Sequence, residues 1–562
     1  MDRPLPDACD VLVVGAGAGG MAAAFTAAVG GLDVCLIEKE PVVGGSTALS
    51  GGVIWAPGNS IFAGKREADP AGSALTYLRA EAGNRLDEAL AARFLAEAPR
   101  AIDFLVAQAG LRLVAPVYPD YHPDKAGWSA GGRAVRPAPF DGRRLGNDLA
   151  LLRQPLPSMT LLGGMMVSAE DIVPLSQATR SPGAALVAAR LVGRYAADRL
   201  RHGRATRLTN GNALVGALLH AVLTRGVRPH TGTTLREILL EGGRVMGAVV
   251  ARDGATHRVR TRRGVVLATG GVPHDEALRA DLGLAGAGPS LAPAGSTGDG
   301  VRAARLVGGA FRGAVASPVA WVPVSDVPSP GGGTTPHPHF FDRSKPGFII
   351  VDRSGRRFAS EALSYHDLGP LIAQRAGGEA FLIGDAPAVR RHGIGAARPW
   401  PAPNGGLLRA GYLVREATPQ ALAQRLGIDP DGFAGTLAEW NRHAPSGEDP
   451  AFGKGSDAYQ RHIGETGHHP NPCVAPVAGP PFFAIRLRAG DIGTFVGLRT
   501  NHDAQVLRAD GTPIEGLHAV GNDMASVMGG TYPGPGITLG PALTFGVLAG
   551  EFLAASPRSG GW

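Results

Sequence analysis

The first forty residues hold the feature that most constrains how this 562-residue chain can fold. An apolar run over 11–14 precedes a glycine-rich turn and an alanine-rich segment, and a second predicted buried strand over 33–37, which is apolar after Asp33, ends at Glu38. The turn has the spacing G-x-G-x-x-G and consists of Gly15, Ala16, Gly17, Ala18, Gly19 and Gly20. A strand, such a turn, a helix and a second strand with an acidic end are typical of a dinucleotide-binding βαβ unit. The sequence therefore predicts an α/β fold with a dinucleotide site after the first strand.

The residues of this unit have separate expected roles. Gly15 permits the tight turn, Gly17 lets the backbone approach a pyrophosphate at the positive end of the helix, and Gly20 lets helix and strand pack closely. Glu38 is expected to accept hydrogen bonds from a ribose hydroxyl, and we place the adjacent Lys39 in the same site.

Two later segments, 263–271 and 516–523, are apolar strands that end in small residues. Small residues at strand ends leave room for a bulky cofactor, and a Gly/Pro-rich loop then precedes a predicted closing helix over Pro541–Ala555. The cofactor contacts expected from these segments are Ala268, Thr269, Gly270, Asn522, Asp523, Thr538 and Leu539.

Composition excludes several classes of protein. A hydrophobic content of 44% indicates a packed chain in spite of 83 glycines and 45 prolines. The net charge of +7 is a mild excess that does not suggest nucleic-acid binding. Cys9, Cys35 and Cys473 lie too far apart for a disulfide framework or a zinc ribbon, which favours a reducing compartment. No secretory signal is visible at the N-terminus, so we expect a cytoplasmic location.

Composition also changes along the chain. The stretch 314–483 is rich in Pro, Gly and His, and we predict that it forms a domain inserted between 1–313 and 484–562. His337, His339, His468 and His469 lack a thiol or carboxylate at ligand spacing, so no metal site is expected.

A basic amphipathic helix is predicted near 183–204. Seven arginines lie between Arg180 and Arg207 against one acid, Asp198, with apolar residues at near-helical spacing. Such a helix either lies solvated on the surface of the protein itself or contacts an anionic membrane or another subunit. Both interpretations stay open.

The run 44–55, GGSTALSGGVIW, resembles the flavin-contacting loop of the fumarate reductase and succinate dehydrogenase flavoprotein superfamily, in the version found in 3-ketosteroid Δ1-dehydrogenases. The resemblance continues through 297–300, 355–358 and the loop after Tyr532, so it covers nearly the whole chain. It implies a Rossmann-like FAD-binding domain with an inserted α+β catalytic (cap) domain. Further flavin contacts implied by the loop are Gly45, Ser46, Thr47, Gly51 and Gly52. Relatives with covalently attached flavin have a histidine near this loop, whereas this chain has none between residues 1 and 120, so non-covalent FAD is expected.

The resemblance also implies a reaction, which removes two hydrogens from adjacent carbons beside a ketone, one as a proton and one as a hydride to flavin. Tyr532 and the Gly536 backbone N–H match the loop that binds the keto oxygen. Tyr365 matches the proton-abstracting tyrosine. Tyr121 matches the phenol that hydrogen-bonds to it, and Tyr118 is the alternative for this role.

The chain departs from the family pattern in two places. Ser360 stands before Glu361 where the family usually has Asn, and the stretch between Tyr121 and Tyr365 is longer than in compact members. The longer stretch contains the basic helix, so the substrate is left open between a small androstane-type ketone and a bulkier, membrane-dissolved sterol ketone.

The predicted function is therefore FAD-dependent 1,2-desaturation of a 3-ketosteroid, with a quinone or similar external electron acceptor. The alternatives are a fumarate reductase-like enoate reductase, another FAD-dependent ketone or enone dehydrogenase, and a flavin-bearing protein of the membrane surface whose main task is partner binding. A peripheral contact with the inner membrane face is part of the prediction.

Overall fold

The computed structural model describes residues 4–66, 68–178, 181–284, 287–329 and 331–556. The helices within these residues are α1 (Ala18–Val29), α2 (Gly45–Leu49), α3 (Ser73–Ala82), α4 (Glu88–Ala109), α5 (Ala169–Gln177), α6 (Pro182–His202), α7 (Asn210–Thr224), α8 (Glu276–Asp281), α9 (Asp299–Leu306), α10 (Tyr365–Gln374), α11 (Ala386–His392), α12 (Gly405–Arg409), α13 (Pro419–Leu426), α14 (Pro430–His443), α15 (Ala458–Ile463) and α16 (Leu539–Ala555). The strands are β1 (Ala8–Val14), β2 (Val34–Ile37), β3 (Ile54–Trp55), β4 (Leu113–Val114), β5 (Ala134–Pro137), β6 (Phe140–Asp141), β7 (Arg207–Leu208), β8 (Thr233–Glu241), β9 (Arg244–Arg252), β10 (Ala255–Leu267), β11 (Phe311–Arg312), β12 (Val319–Pro328), β13 (Thr334–Pro338), β14 (Phe348–Val351), β15 (Glu379–Asp385), β16 (Val414–Glu416), β17 (Phe482–Thr494), β18 (Gly497–Leu498), β19 (Gln505–Leu507) and β20 (Pro513–Ala519).

The apolar run of the first strand lies inside a seven-stranded sheet. Strand β1 pairs in parallel with β2 and β10, and β10 pairs in parallel with β20. Residues 11–14 are buried, as expected for a parallel strand that is covered on both faces. Because these four strands run in the same direction, their carboxyl ends meet at one edge of the sheet. The segments 15–20, 38–39, 268–271 and 521–523 therefore lie along that edge.

A second sheet is antiparallel throughout. Its order is β13-β12-β17-β15-β14, and β16 also pairs with β17. The first sheet is mixed, because β8, β9 and β19 add antiparallel pairings to the parallel strands β2, β1, β10 and β20. This sheet with its helices and a separate antiparallel sheet confirm the predicted mixed α/β class. The division into domains stays a prediction, but its boundary at 483 falls inside β17. That strand pairs with β12 as far as Thr494, so the second sheet extends beyond the change in composition.

The C-terminal helix packs closely on the first helix. A Cβ atom at Gly546 in α16 would lie 2.6 Å from the carbonyl oxygen of Gly19, and one at Gly550 would lie 2.6 Å from Cβ of Thr26. Small residues at these positions let the two helix axes approach. The predicted closing helix is thus present and begins two residues earlier than expected. It packs against the helix that follows the glycine-rich turn.

The predicted basic helix corresponds to α6, and Arg180 lies outside the described residues. Of its side chains only Tyr195 and Asp198 are buried, while Leu186 is 52% and Leu200 is 89% exposed. The Tyr195 hydroxyl donates to the carbonyl oxygen of Leu162 at 3.2 Å. Helix α6 therefore lies on the surface and is attached through few side chains. No helix in the described part of the chain is both long and apolar enough to cross a membrane.

The contact between α1 and α16 generates a stability prediction. Gly546→Ala is expected to destabilise the protein by about 1–3 kcal/mol, because the added methyl overpacks against a backbone carbonyl. Gly193→Ala in α6 is the matched control, since a Cβ there would meet no atom within 4 Å, and it should stabilise the helix by up to about 1 kcal/mol. Urea unfolding of both variants measures the difference, and equal midpoints would contradict the close packing.

Candidate active site

The glycine-rich turn over 15–20 has the geometry that binding of a dinucleotide requires. We call this turn, together with the ends of the parallel strands beside it, the cradle. Gly15 has φ +108°, and a Cβ at Gly20 would lie 1.9 Å from the Gly15 carbonyl oxygen. Only glycine satisfies both positions. A Cβ at Gly17 or Gly521 would meet no heavy atom within 4 Å, and one at Gly45 would meet only the Cα atom of Gly17, at 3.8 Å. These glycines border open space at the edge where the parallel strands end, so the residues present fit a bound dinucleotide.

Several predicted cofactor contacts also bond to the protein itself. The Glu38 carboxylate accepts hydrogen bonds from Ala16 N at 2.9 Å and from Glu40 N at 3.0 Å. The Thr47 hydroxyl accepts from Ala18 N at 3.2 Å. Burial raises the pKa of Glu38. These contacts hold the loops around the cradle in place.

Lys39 lies close to a motif from another part of the chain. Its ammonium donates to Thr297 Oγ1 at 2.7 Å and pairs with Asp299 at 2.8 Å. The Thr-Gly-Asp-Gly segment is therefore fastened to the end of β2, beside the cradle.

The contacts predicted after β10 and β20 lie next to each other. Asp523 is fully buried, and its carboxylate accepts from Thr269 N at 2.6 Å, from Thr269 Oγ1 at 2.9 Å and from Gly271 N at 2.8 Å. Its oxygens are thus bonded to the loop after β10. Ala268, Gly270 and Asn522 are partly exposed along the same edge.

The remaining loop positions differ in their surroundings. Ser46 lies partly exposed in α2, and Gly51 is exposed. A Cβ at Gly52 would lie 2.6 Å from the backbone of Asn210, so this glycine packs against α7 rather than bordering the open space. Thr538 is the N-cap of α16, and Leu539 is its first residue.

The three tyrosines singled out in the sequence meet in one buried cluster. The Tyr121 hydroxyl donates to the Tyr365 hydroxyl at 3.1 Å. The Tyr532 ring stacks on Tyr121 with centroids 5.6 Å apart and meets Tyr365 edge-on at 5.1 Å. The ring of Tyr118, the alternative to Tyr121, instead lies edge-on to the ring of His462, with the two centroids 6.2 Å apart.

Burial controls the ionisation of these phenols. It raises the pKa of Tyr365 and of Tyr121 well above the usual value. The neighbouring phenols add to the shift of Tyr365, whereas for Tyr121 the charges of Tyr459 and Tyr532 add to it and the hydrogen bond with Tyr365 opposes it. Burial also raises the pKa of Tyr532 to about 12, against an opposing hydrogen bond with Tyr365. All three are neutral donors and acceptors near neutral pH.

Residues that the sequence did not single out surround the cluster. The Tyr459 ring lies 4.7 Å from Tyr121, and the Phe340 ring lies 5.0 Å from Tyr365. Arg343 is fully buried and donates to the carbonyl oxygens of Phe340, His339 and Glu361. Their positions along the chain show no local pattern, so only the packing brings them together.

The segment 45–55 connects the cradle to the tyrosine cluster. It begins against Gly17 and ends where Trp55 N donates to the Gly536 carbonyl oxygen at 3.1 Å. Gly536 has φ +92°, and a Cβ there would lie 2.6 Å from the backbone of Val53. Since Gly536 follows Tyr532 by four residues, this segment contacts both the cradle and the loop that begins at Tyr532.

A glycine-lined dinucleotide cradle joined to buried phenols defines an oxidoreductase that works with a bound dinucleotide. Among the described residues, no group of three or more His, Cys, Asp or Glu side chains is arranged to hold a metal ion. The chemistry available to the protein itself is proton transfer and hydrogen bonding by phenols.

Comparison with known proteins identifies the family. The model of the family described as FAD binding domain matches residues 10–539. The chain is 39% identical to a 4-oxocyclohex-2-ene-1-carboxylate 5-dehydrogenase of Sinomonas cyclohexanicum, over 99% of this chain and 95% of that protein. It is 36% identical to a 3-oxosteroid 1-dehydrogenase of Mycolicibacterium smegmatis, over 97% of both chains.

A solved structure agrees with these relatives. The 3-ketosteroid delta1-dehydrogenase from Sterolibacterium denitrificans, in complex with 1,4-androstadiene-3,17-dione, superposes with a TM-score of 0.89 at 35% identity and covers 98% of this chain and 100% of its own. The chain belongs to this family of FAD-binding proteins. Its activity class is that of an FAD-dependent oxidoreductase acting on CH–CH groups of cyclic ketones.

The open space at Gly17 generates a binding prediction. Gly17 has φ −81° and ψ −174°, an extended backbone that valine adopts readily, so Gly17→Val should fold but fill the cradle. Its Kd for FAD is expected to rise at least about tenfold, which corresponds to about 1.4 kcal/mol. Titration of flavin-depleted protein with FAD, followed by flavin fluorescence, measures this. Wild-type affinity in a folded variant would show that the cofactor binds elsewhere.

Proposed function

We propose that this protein desaturates a cyclic ketone beside its carbonyl, and that 1,2-desaturation of a 3-ketosteroid is its reaction. The observation that carries the proposal is the contact of Tyr121, Tyr365 and Tyr532 in one buried cluster, with a hydroxyl–hydroxyl distance of 3.1 Å between the first two. A site for fumarate would need cationic groups aimed at two carboxylates, whereas the loop after Tyr532 offers proline and glycine.

Tyr532 and Gly536 polarise the ketone in this proposal. The Tyr532 hydroxyl and the Gly536 backbone N–H donate to the keto oxygen, on which negative charge develops as the adjacent C–H bond ionises. Donors aimed at such an oxygen lower the barrier most when the site is dry, and Tyr532 is buried.

Tyr365 removes the proton from C2 of the steroid, and Tyr121 makes that possible. A neutral phenol is a poor base, and burial raises the pKa of Tyr365 further. In the resting pair, the contact with Tyr121 contributes to the raised pKa of Tyr365. We assign to Tyr121 the donor that would face the Tyr365 oxygen once that hydroxyl has lost its proton, since the two oxygens lie 3.1 Å apart. Because the active form of this base is deprotonated, the rate should rise with pH through the neutral and mildly alkaline range.

The residues of the cradle fit FAD, which when bound would supply the chemistry of hydride acceptance from C1. We propose that it is held non-covalently by the cradle and by the loops that follow β2, β10 and β20. An external acceptor such as a quinone would then reoxidise the enzyme.

Two kinds of cyclic ketone are candidate substrates. One relative is named for the dehydrogenation of 3-oxosteroids, and the other for the dehydrogenation of a small oxocyclohexene carboxylate. We favour the steroid, because 3-oxosteroid 1-dehydrogenases are 35–36% identical over 97% of this chain and the solved relative with a TM-score of 0.89 is in complex with a steroid.

Anaerobic flavin bleaching tests the proposal. Androst-4-ene-3,17-dione, cholest-4-en-3-one and 4-oxocyclohex-2-ene-1-carboxylate are each mixed with the purified holoenzyme, and the flavin absorbance is followed. A steroid should bleach the flavin fastest. Tyr365→Phe should slow bleaching by about 10²–10⁴-fold, as expected for loss of a general base, and Tyr532→Phe by about 10²–10³-fold, as expected for loss of one oxyanion donor.

Three results would change the conclusion. Faster bleaching by 4-oxocyclohex-2-ene-1-carboxylate than by either steroid would indicate a small oxo carboxylate, rather than a steroid, as the substrate. No bleaching by any cyclic ketone, together with reoxidation of reduced enzyme by fumarate, would favour the enoate reductase. Undiminished bleaching in Tyr365→Phe would exclude this tyrosine as the base, and Tyr118→Phe is the control that should react like wild type.

We further propose that α6 contacts an anionic membrane surface, which would give access to dissolved sterol ketones. The support is a surface helix with exposed arginines and exposed apolar side chains, among them Leu186 and Leu200. A helix with both features binds anionic interfaces.

Flotation with liposomes tests this contact. Wild-type protein should float with vesicles that contain anionic lipid, and the double variant Leu186→Glu, Leu200→Glu should stay at the bottom of the gradient. The same variant should keep its bleaching rate with water-dispersed androst-4-ene-3,17-dione, since both side chains are exposed. Flotation of the variant, or none by the wild type, would leave α6 as a solvated surface helix.

A further inference from the structure

A histidine beside the tyrosine cluster joins two carboxylates from distant parts of the chain. Nδ1 of His122 lies 2.6 Å from Oε1 of Glu81, and Nε2 lies 2.8 Å from Oδ2 of Asp367. Glu81 belongs to α3, whereas Asp367 lies in the first turn of α10, near the second sheet. Ser364, the N-cap of α10, donates to the same Asp367 oxygen at 2.6 Å. The imidazole thus fastens α3 to the start of α10.

The neighbours of this bridge are the proposed catalytic tyrosines. His122 directly follows Tyr121, and Asp367 is two residues after Tyr365, the first residue of α10. A bridge of fixed length between positions 122 and 367 therefore limits the distance between the two phenols that share the 3.1 Å hydrogen bond.

The third tyrosine is connected through the backbone. His122 N donates to the Tyr77 hydroxyl at 3.1 Å, and that hydroxyl donates to the Pro533 carbonyl oxygen at 2.9 Å. Tyr121 N donates to the same oxygen at 2.8 Å. Pro533 follows Tyr532, so hydrogen bonds that meet at His122 reach all three phenol segments.

The bridge requires a charged imidazole, because both ring nitrogens face carboxylate oxygens and both must donate. Burial by itself lowers the pKa of His122, but the hydrogen bonds to Asp367 and Glu81 outweigh it and raise the pKa from the ordinary 6.5 to about 10. The groups that face it are Glu81 and Tyr77 from α3, and Asp367 and His366 from α10. The contribution of the charged His122 imidazole to the stability of the folded protein is complete below pH 6.5, its ordinary pKa, and is lost as the pH rises through about 10.

We propose that His122 is a positioning residue for the desaturation. Its imidazolium, bonded to Glu81 and Asp367, holds the three tyrosines at their observed separations. The proposal rests on the function proposed above, because it assigns His122 to the geometry of that base and its hydrogen-bond donor. His122 itself touches neither ketone nor flavin in this role.

His122→Gln tests the bridge, since one amide NH₂ cannot donate to carboxylates on opposite sides. In a crystal structure of the variant holoenzyme, the separation of the Tyr121 and Tyr365 oxygens should exceed hydrogen-bond reach, about 3.2 Å. The rate constant for anaerobic flavin bleaching should fall about 100-fold, as for a displaced reacting group. The Kd for the ketone and the FAD content should stay within about threefold, because the bridge acts on geometry rather than on uniform binding.

Two further variants separate positioning from stability. His122→Gln leaves two carboxylates facing each other, and adding Asp367→Asn removes that repulsion, so the double variant should regain melting temperature but not the rate constant. Arg79 lies on the same helix α3 as Glu81 and forms an exposed ion pair with Glu88 of α4. Arg79→Gln, which breaks that pair, is the matched control and should react like wild type.

Phenol oxygens that stay 3.1 Å apart in His122→Gln would overturn the proposal, and so would recovery of the rate constant in the double variant. If no cyclic ketone bleaches the flavin of the wild-type enzyme but the phenols are separated in His122→Gln, the positioning role of His122 would stand and the proposed reaction would be wrong.

Discussion

Burial of several phenol hydroxyls against one another is the constraint on which the rest of this structure depends. Tyr121, Tyr365, Tyr459 and Tyr532 come from segments far apart in sequence, and their rings pack around Tyr121 within 6 Å. A hydroxyl removed from water without a partner makes the free energy of folding less favourable by about 1–3 kcal/mol. Among the described residues the Tyr459 hydroxyl is buried without a hydrogen-bond partner, whereas those of Tyr121 and Tyr365 bond to each other. The Tyr121–Tyr365 hydrogen bond meets that need only if the loop before β5 and the start of α10 are held at a fixed distance.

The two sheets divide the tasks of the site. The parallel strands of the first sheet end at glycine-lined open space that fits a dinucleotide, and the antiparallel sheet supports α10 and with it Tyr365. The segment 45–55 joins these parts, because it contacts Gly17 at one end and Gly536 at the other. The proposed reaction requires that a ketone at the phenols lie close to a cofactor in the cradle, because hydride transfer needs direct approach of the two reacting groups.

Much of the fold was predictable because its signals are local. The βαβ unit, the strands at 263–267 and 516–519 and the closing helix follow from apolar periodicity and glycine spacing, which act within a few residues of each other. The domain boundary at 483 stays a prediction; composition changes there, while hydrogen bonding continues along β17 to Thr494. Strand pairing is a long-range property that composition does not record.

The sequence by itself determined the dinucleotide unit, the family resemblance and the three tyrosines of the candidate site, because short motifs carry each of them. Only the tertiary structure decided that the three rings touch, that Tyr121 rather than Tyr118 bonds to Tyr365, and that Tyr459, Arg343 and the His122 bridge surround them. It also decided that Gly52 packs against α7, whereas Gly17 borders open space. The reason is physical: a motif constrains the backbone near it, but contacts between segments hundreds of residues apart arise only when the whole chain is packed.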